Sequence, residues 1–191
     1  MEIKNFIKIY DNILPPKGLT SLIKYCNFIN FEEANVGEGA TKRVDFQIRR
    51  TFVHQLSNRS ESMTETHWCN LLYKFIKQYI SRYKKELNIS PRIISDVFVN
   101  DISILKYNTG GFYTWHSDHF NGNPRTFSLI YLLNNDYEGG NIVFANPDLS
   151  DEFEIEVKPN RLIVWPSNFL FPHKVKTVTK GVRYSIVAWA L

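Results

Sequence analysis

With 191 residues, 43% hydrophobic and 15% aromatic, the chain has the apolar mass for a core, which excludes intrinsic disorder, and a single domain over residues 1–191 is expected. No apolar run approaches the roughly 18 residues of a spanning helix, and the start MEIKNFIKIYDN carries charges throughout, unlike a signal peptide, so a soluble, cytoplasmic protein with no membrane attachment is expected. The formal net charge of +4 would suit an acidic partner without demanding one.

FIKIYDNIL, residues 6–14, alternates apolar and polar side chains and reads as a strand that Pro15-Pro16 stops. GLTSLIKYCNFI, 18–29, reads as an amphipathic helix with Leu19, Leu22, Ile23 and Cys26 on one face. NVGEGATKR, 35–43, is polar, glycine-bearing and without period, hence a loop. VDFQIRRTFVHQL, 44–56, returns to a strand pattern. Residues 64–87 carry the clearest helix: Trp68, Leu71, Leu72, Phe75, Ile76, Tyr79, Ile80 and Tyr83 recur at i, i+3, i+4, with Thr64 as the expected N-cap and Asn88 with Pro91 ending it. That aromatic stripe is read as packing against a sheet. Lys42-Arg43, Arg49-Arg50 and the lysines from Lys74 to Lys85 are read as solvated edges, and without aromatic interleaving they disfavour a nucleic-acid partner. The two cysteines, Cys26 and Cys69, lie in helical segments outside any CxxC pair, so reduced, buried thiols are expected.

From residue 93 the texture changes. About eight β-rich segments follow, separated by NTGG, NGNP, NNDYEGG, NPDLSDE, KPNR and TKG, with no helical period between them. Such spacing indicates a closed sandwich or barrel, with the earlier helices on one outer face: α+β, mainly β. Residues 1–92 are thus a helical support and loop region, and 93–191 the β core.

The stretch TWHSDHF, 114–120, holds the chemistry. Side chains two apart on a strand share a face, so His116 and Asp118 project together. His119 faces away and is set aside. A third ligand could come from His173 in FPHKVKTV. Two histidines and a carboxylate on one face leave open positions, as non-haem Fe(II) requires when it binds a co-substrate and oxygen. Arg183 and Ser185 share a face by the same period, and a guanidinium beside a hydroxyl suits a carboxylate. A small dicarboxylic acid bridging metal and Arg183 would leave the site neutral, as burial favours. An HxD pair is a weak signal alone. A buried polar network, or scattered surface residues, stands as the alternative on spacing alone.

YNTGGFYTWHSDHF, then RTFSLIYLLNNDYEGGNIVF, then VKPNRLIVWPSNFLFPHKVKTVTKGVRYSIVAW together resemble the prolyl 4-hydroxylase-type branch of the 2-oxoglutarate- and Fe(II)-dependent dioxygenases, over roughly residues 100–190. The resemblance implies a double-stranded β-helix, or jelly roll, with His116, Asp118 and His173 as catalytic iron ligands. It implies Arg183, Ser185 and Tyr107 as 2-oxoglutarate binders, with a core aromatic as the other reading of Tyr107, and Fe(II), 2-oxoglutarate, O2 and ascorbate as cofactor, co-substrates and reductant. Arg125 matches a substrate-facing position in some relatives, with a surface ion pair as its other reading, and Tyr113 either lines the same pocket or fills core. Trp165 and Trp189 are expected to pack the sheet. The implied reaction is hydroxylation of an unactivated C–H bond, first of all a prolyl residue in a peptide or protein, with release of succinate and CO2. A free amino acid, another small molecule, a nucleic acid or a non-catalytic binding module are the alternatives. The 31–60 stretch and the NGNP loop, 121–124, are expected as lips, with GEGATKR as a lid. One departure stands out: Leu132 occupies a position where some relatives carry a tyrosine, and Tyr131, one place off, should face the other way.

Overall fold

The computed structural model describes residues 2–37, 42–119, 122 and 124–191. Two antiparallel sheets carry the fold. The larger has seven strands in the order β1 (Lys8–Asp11), β11 (Arg161–Pro166), β7 (Phe127–Leu132), β14 (Arg183–Ala190), β5 (Val99–Tyr107), β4 (Phe52–Gln55) and β2 (Glu32–Glu33). The smaller has five: β10 (Phe153–Glu154), β9 (Ile142–Phe144), β12 (His173–Val175), β6 (Phe112–His116) and β3 (Arg49–Arg50). A two-stranded ribbon pairs β13 (Val178–Lys180) with β8 (Glu138–Gly139).

The side-chain period of two sorts the core into layers. On β7, Leu129 and Tyr131 face outward into the cluster under the helices. Ile130 and Leu132 face inward, joining Ile142, Phe144, Ile163 and Trp165 between the sheets. The outward layer is closed by α1 (Pro16–Cys26) and α2 (Met63–Glu86), which contribute Leu22, Cys26, Trp68, Leu72, Ile76, Ile80 and Tyr83. Burying such side chains stabilises by about 1.5–3 kcal/mol each, before chain entropy opposes it. The jelly roll with helices on one outer face is therefore the observed architecture, and the aromatic stripe of α2 is packing.

Several boundaries differ from the sequence expectation. The N-cap of α2 is Ser62, whose hydroxyl accepts from the Glu65 amide at 3.3 Å; Thr64 lies inside the helix, and the S-x-x-E spacing was the signal for the true start. The segment expected as a strand over 6–14 opens instead with a 3-10 helix, Ile3–Phe6, and its strand ends before Asn12, whose φ is 59°. Residues 44–56 split into β3 and β4, which join different sheets. The N-terminal half thus supplies strands to both sheets as well as helices. Cys26 and Cys69 are free thiols, and burial pushes the Cys26 thiol up to about 12. Among the described residues no helix is long and apolar enough to cross a membrane. Most of the expected lid, GEGATKR, lies outside the described residues, as does half of the NGNP loop. The lid's flanks, Val36 and Arg43, pair by backbone bonds of 2.8 and 3.0 Å.

Candidate metal centre

β6 and β12 are antiparallel neighbours in which His173 lies opposite His116. The two imidazoles meet with ring centroids 4.2 Å apart, and the chain leaving β6 brings in Asp118. Its Oδ1 lies 3.9 Å from His116 Nε2 and its Oδ2 3.4 Å from His173 Nε2. Ligand atoms of all three lie within 4.8 Å of one another, close enough to share one ion. Each Nδ1 faces a carbonyl: His116 to Thr114 O at 2.8 Å, His173 to Phe171 O at 3.1 Å. A carbonyl only accepts, so Nδ1 carries the hydrogen in both rings and the Nε2 lone pair is left for a metal.

Electrostatics agree with that tautomer. Burial, then the neighbouring His173, pushes His116 down to about 3, so it is neutral at physiological pH. Burial alone would raise the Asp118 carboxyl, but the two imidazoles and a Ser128 hydroxyl more than offset it and hold it below its usual range. A neutral His116 imidazole beside an ionised carboxylate presents ligand forms that a divalent ion takes. The rings are also fixed from their sides. Tyr113 stacks on His116 at 3.6 Å, and Trp165 and Phe144 pack against His173 at 5.0 and 5.5 Å. His119 takes no part; its Nδ1 pairs with Arg125 O at 3.2 Å.

The larger sheet holds the anion clamp. Arg183 on β14 is fully buried and donates from Nη1 to Ser185 Oγ at 2.9 Å. Tyr107, its register partner on β5, lays its ring under the guanidinium at 4.9 Å. Arg183 Nε and Nη2 have no hydrogen-bond partner among the described residues. A buried guanidinium with two unmet donors is costly, and a bidentate carboxylate is the group that would satisfy it. The residues therefore fit both a divalent metal and a dicarboxylic co-substrate.

A cavity of about 140 Å³ lies between the sheets. Its inner wall includes Tyr107, Leu105 and the triad, and its mouth includes Asn35, Val36, Gly37, Arg49, Arg125 and Trp189. Arg125 donates to the Asp118 carbonyl at 3.1 Å and lies over the Trp189 ring at 3.7 Å. Tyr113 is not core filler: it lines the cavity between His116 and the Arg49 guanidinium, 4.7 Å from its ring. Trp189 likewise lines the mouth rather than only packing the sheet. Its parity with Arg183 and Ser185 was the signal for that. Arg49 and residues 35–37 had no comparable signal, because their place depends on how the N-terminal strands join the sheets. On β7, Tyr131 faces outward and bonds Asn160 Oδ1 at 2.6 Å, while Leu132 faces Ser185, so this strand offers the clamp no hydroxyl.

Comparison with known proteins agrees with this geometry. The family model of the 2OG-Fe(II) oxygenase superfamily matches residues 102–191. A PKHD-type hydroxylase of Gloeothece citriformis is 32% identical over 97 residues, covering 48% of this chain and 42% of that protein. Human prolyl 3-hydroxylase 2 is 36% identical over 66 residues, 34% of this chain and 9% of that protein. The chain thus spans less than half the length of these curated relatives. In fold it matches a prolyl hydroxylase of Trichoplax adhaerens solved with a hypoxia-inducible-factor peptide, with a TM-score of 0.76 and 21% identity over 98% of this chain and 84% of that one. It also matches a prolyl-4-hydroxylase of Pseudomonas putida, with a TM-score of 0.70 and 20% identity over 96% of this chain and 91% of that one. The triad and the family together make Fe(II), 2-oxoglutarate and O2 the cofactor set. Residues 102–191 match the 2OG-Fe(II) oxygenase superfamily, and the chain is similar to prolyl-hydroxylase-type proteins in sequence and in fold.

Proposed function

We propose that this chain is an Fe(II)- and 2-oxoglutarate-dependent dioxygenase that hydroxylates a prolyl residue in a peptide or protein, with ascorbate keeping the iron reduced. The observation that carries this reading is the pairing of two half-sites on opposite sheets. Three ligand atoms converge on one point of the smaller sheet, and a buried guanidinium with two unmet donors stands on the larger. Fe(II) with 2-oxoglutarate supplies, when bound, the activation of O2: one oxygen atom enters a substrate C–H bond and the other leaves in succinate, with loss of CO2.

The protein's part is holding and excluding. His116 and His173 present Nε2, and Asp118 a carboxylate, leaving positions for co-substrate and O2. Arg183 and Ser185 bind the far carboxylate of 2-oxoglutarate, with the Tyr107 ring supporting the guanidinium. Tyr113 holds the His116 ring in orientation, and Arg125 fixes the Asp118 backbone from the mouth. Leu105, Val175 and Val187 keep that end of the cavity apolar, so charge interactions inside it are strengthened. A peptide substrate is favoured by an open depression of about 710 Å³ that shares Asn35, Arg49 and Trp189 with the cavity mouth and runs past Glu33, Gln55 and Asp101. An extended chain fills such a trough, whereas a free amino acid does not.

The test is mass spectrometry of proline-containing peptides incubated with protein, Fe(II), ascorbate and 2-oxoglutarate. Gain of one oxygen atom on a peptide, coupled to succinate and abolished in His116→Ala and His173→Ala, is expected. Absence of coupled or uncoupled 2-oxoglutarate turnover by iron-loaded protein across a broad panel overturns the reading. Oxidation of free proline alone moves the substrate to small molecules.

A further inference from the structure

Tyr137 belongs to the turn NNDYEGG that leaves β7. Asn134 ties this turn to β14: its side chain donates to Asp136 Oδ1 at 2.6 Å and Val182 O at 2.7 Å, and accepts from the Tyr184 amide at 2.8 Å. Two glycines in the left-handed region make room for the ring. A Cβ on Gly140 (φ +65°) would stand 3.2 Å from Tyr137 Cε2 and 3.0 Å from Arg183 Cδ, and one on Gly181 (φ +80°) 3.2 Å from Tyr137 Cα. The ring therefore packs beside the Arg183 stem, in the same cluster as Leu105, Tyr107, Val175 and Val178.

The Tyr137 hydroxyl is buried and without a hydrogen-bond partner. It lies within reach of the Arg183 guanidinium, but the two form no hydrogen bond of good geometry, and Arg183 Nε and Nη2 are likewise unmet among the described residues. Burial raises the phenol above its ordinary value by more than the guanidinium, as a charge and as a donor, lowers it, so it is a neutral donor. Buried polar groups are almost always satisfied. Three unmet donors from two adjacent side chains point to an acceptor held among them. Strand β7 cannot add a hydroxyl there, because its side chain beside Ser185 is Leu132, and its Ser128 hydroxyl lies by Asp118 and Ser167 instead.

We propose that Tyr137 is a positioning residue for the co-substrate, its O–H donating to the far carboxylate of 2-oxoglutarate beside Arg183. The turn thereby supplies a hydroxyl that β7 does not offer beside Ser185. This rests on the dioxygenase reading above. Tyr137 is a specificity element as well, because only a 2-oxo acid with a second carboxylate engages it.

The experiment is calorimetry on Mn(II)-loaded protein, wild type and Tyr137→Phe, with 2-oxoglutarate and with 2-oxopentanoate, which has the same chain length but no far carboxylate. The hydroxyl makes no hydrogen bond of good geometry among the described residues, so its removal should leave the thermal midpoint and Mn(II) binding unchanged. The dissociation constant for 2-oxoglutarate is expected to rise about tenfold, as loss of one bond to a charged group does, and that for 2-oxopentanoate to stay the same. Equal 2-oxoglutarate affinity in the two proteins, or equal weakening of both acids, overturns the role of Tyr137 and leaves the dioxygenase reading intact. Failure of the wild type to bind 2-oxoglutarate removes both.

Discussion

Replacing Gly140 by alanine tests whether the EGG turn seats the anion clamp. At φ +65° an added Cβ meets Val178 Cγ2 at 2.9 Å, Arg183 Cδ at 3.0 Å and Tyr137 Cε2 at 3.2 Å. The left-handed backbone alone costs about 1–2 kcal/mol for alanine, which for a chain of this size lowers the melting midpoint by about 2–8 °C. The contacts add a second effect, because the methyl must push the Arg183 stem or the Val178 side chain aside. A guanidinium displaced from one charge-assisted bond loses roughly 1.5–3 kcal/mol, so 2-oxoglutarate binding should weaken about ten- to hundredfold. Mn(II) binding should not change, because the ligands lie on the other sheet. Gly110→Ala is the control: it has the same backbone penalty at φ +84°, but its Cβ would meet only the Arg50 guanidinium, at 3.4 Å and beyond. Calorimetry on both variants separates strain from displacement. If Gly140→Ala melts lower but binds 2-oxoglutarate as the wild type does, the turn does not set the Arg183 position and the reasoning fails.

Three further outcomes are expected. Asn160→Ala removes a buried side chain that accepts from Leu14 N at 2.9 Å and from the Tyr131 hydroxyl at 2.6 Å and donates to Leu14 O at 2.7 Å; denaturant unfolding should show a loss of about 2–4 kcal/mol, and a loss within 0.5 kcal/mol, the range of an ordinary surface change, would mean the turn is not held there. Asp11→Asn breaks the pairing of Arg161 with Asp11 at 2.8 and 3.1 Å. The Arg161 bond, reinforced by Lys158, holds the Asp11 carboxyl well below its usual range, so its stabilisation is present above the unfolded pKa near 4 and fades as pH falls toward the lower folded value. The variant should therefore be less stable by about 1–2 kcal/mol at pH 7, with the gap closing below about pH 4, and a gap that is constant with pH would rule out the ion pair as its source. Arg49→Met at the cavity mouth should raise KM for a peptide substrate while leaving uncoupled 2-oxoglutarate turnover unchanged; a fall in uncoupled turnover instead would place Arg49 inside the metal site.

Much of this was legible in the sequence, for reasons specific to strands. Parity along RYS put Arg183 with Ser185 on a shared face without any knowledge of the neighbours; the same parity read along WHSD paired the right residues, but β6 ends at His116 and Asp118 arrives from the bend that follows it. Parity also separated Leu132 from Tyr131. What parity cannot give is which strand lies beside which. That Asn35–Gly37 and Arg49 line the cavity follows from β2 and β4 extending one sheet while β3 joins the other, a long-range choice that no local pattern encodes. Tyr137 escaped for a different reason. It sits in a turn, where side-chain direction is set by the φ values of Gly139, Gly140 and Gly181 and not by a period. Ser62 was missed although its capping spacing was present, because Thr64 stood closer to the start of the apolar stripe.

His116 and His173 are 57 residues apart (173 − 116) yet face each other across one rung of the β6–β12 ladder, and just beyond that rung the register shifts, between His173 and Val175. A slip of one residue there would send one imidazole to the opposite side of the sheet. An ion seated between the rings therefore acts as a rivet: it binds only the correct alignment and pulls the ensemble toward it by mass action. Loading with metal should consequently slow amide exchange in β6 and β12 more than in the outer strands, so that the small sheet, and not the helix-backed large one, reports whether the iron is in place.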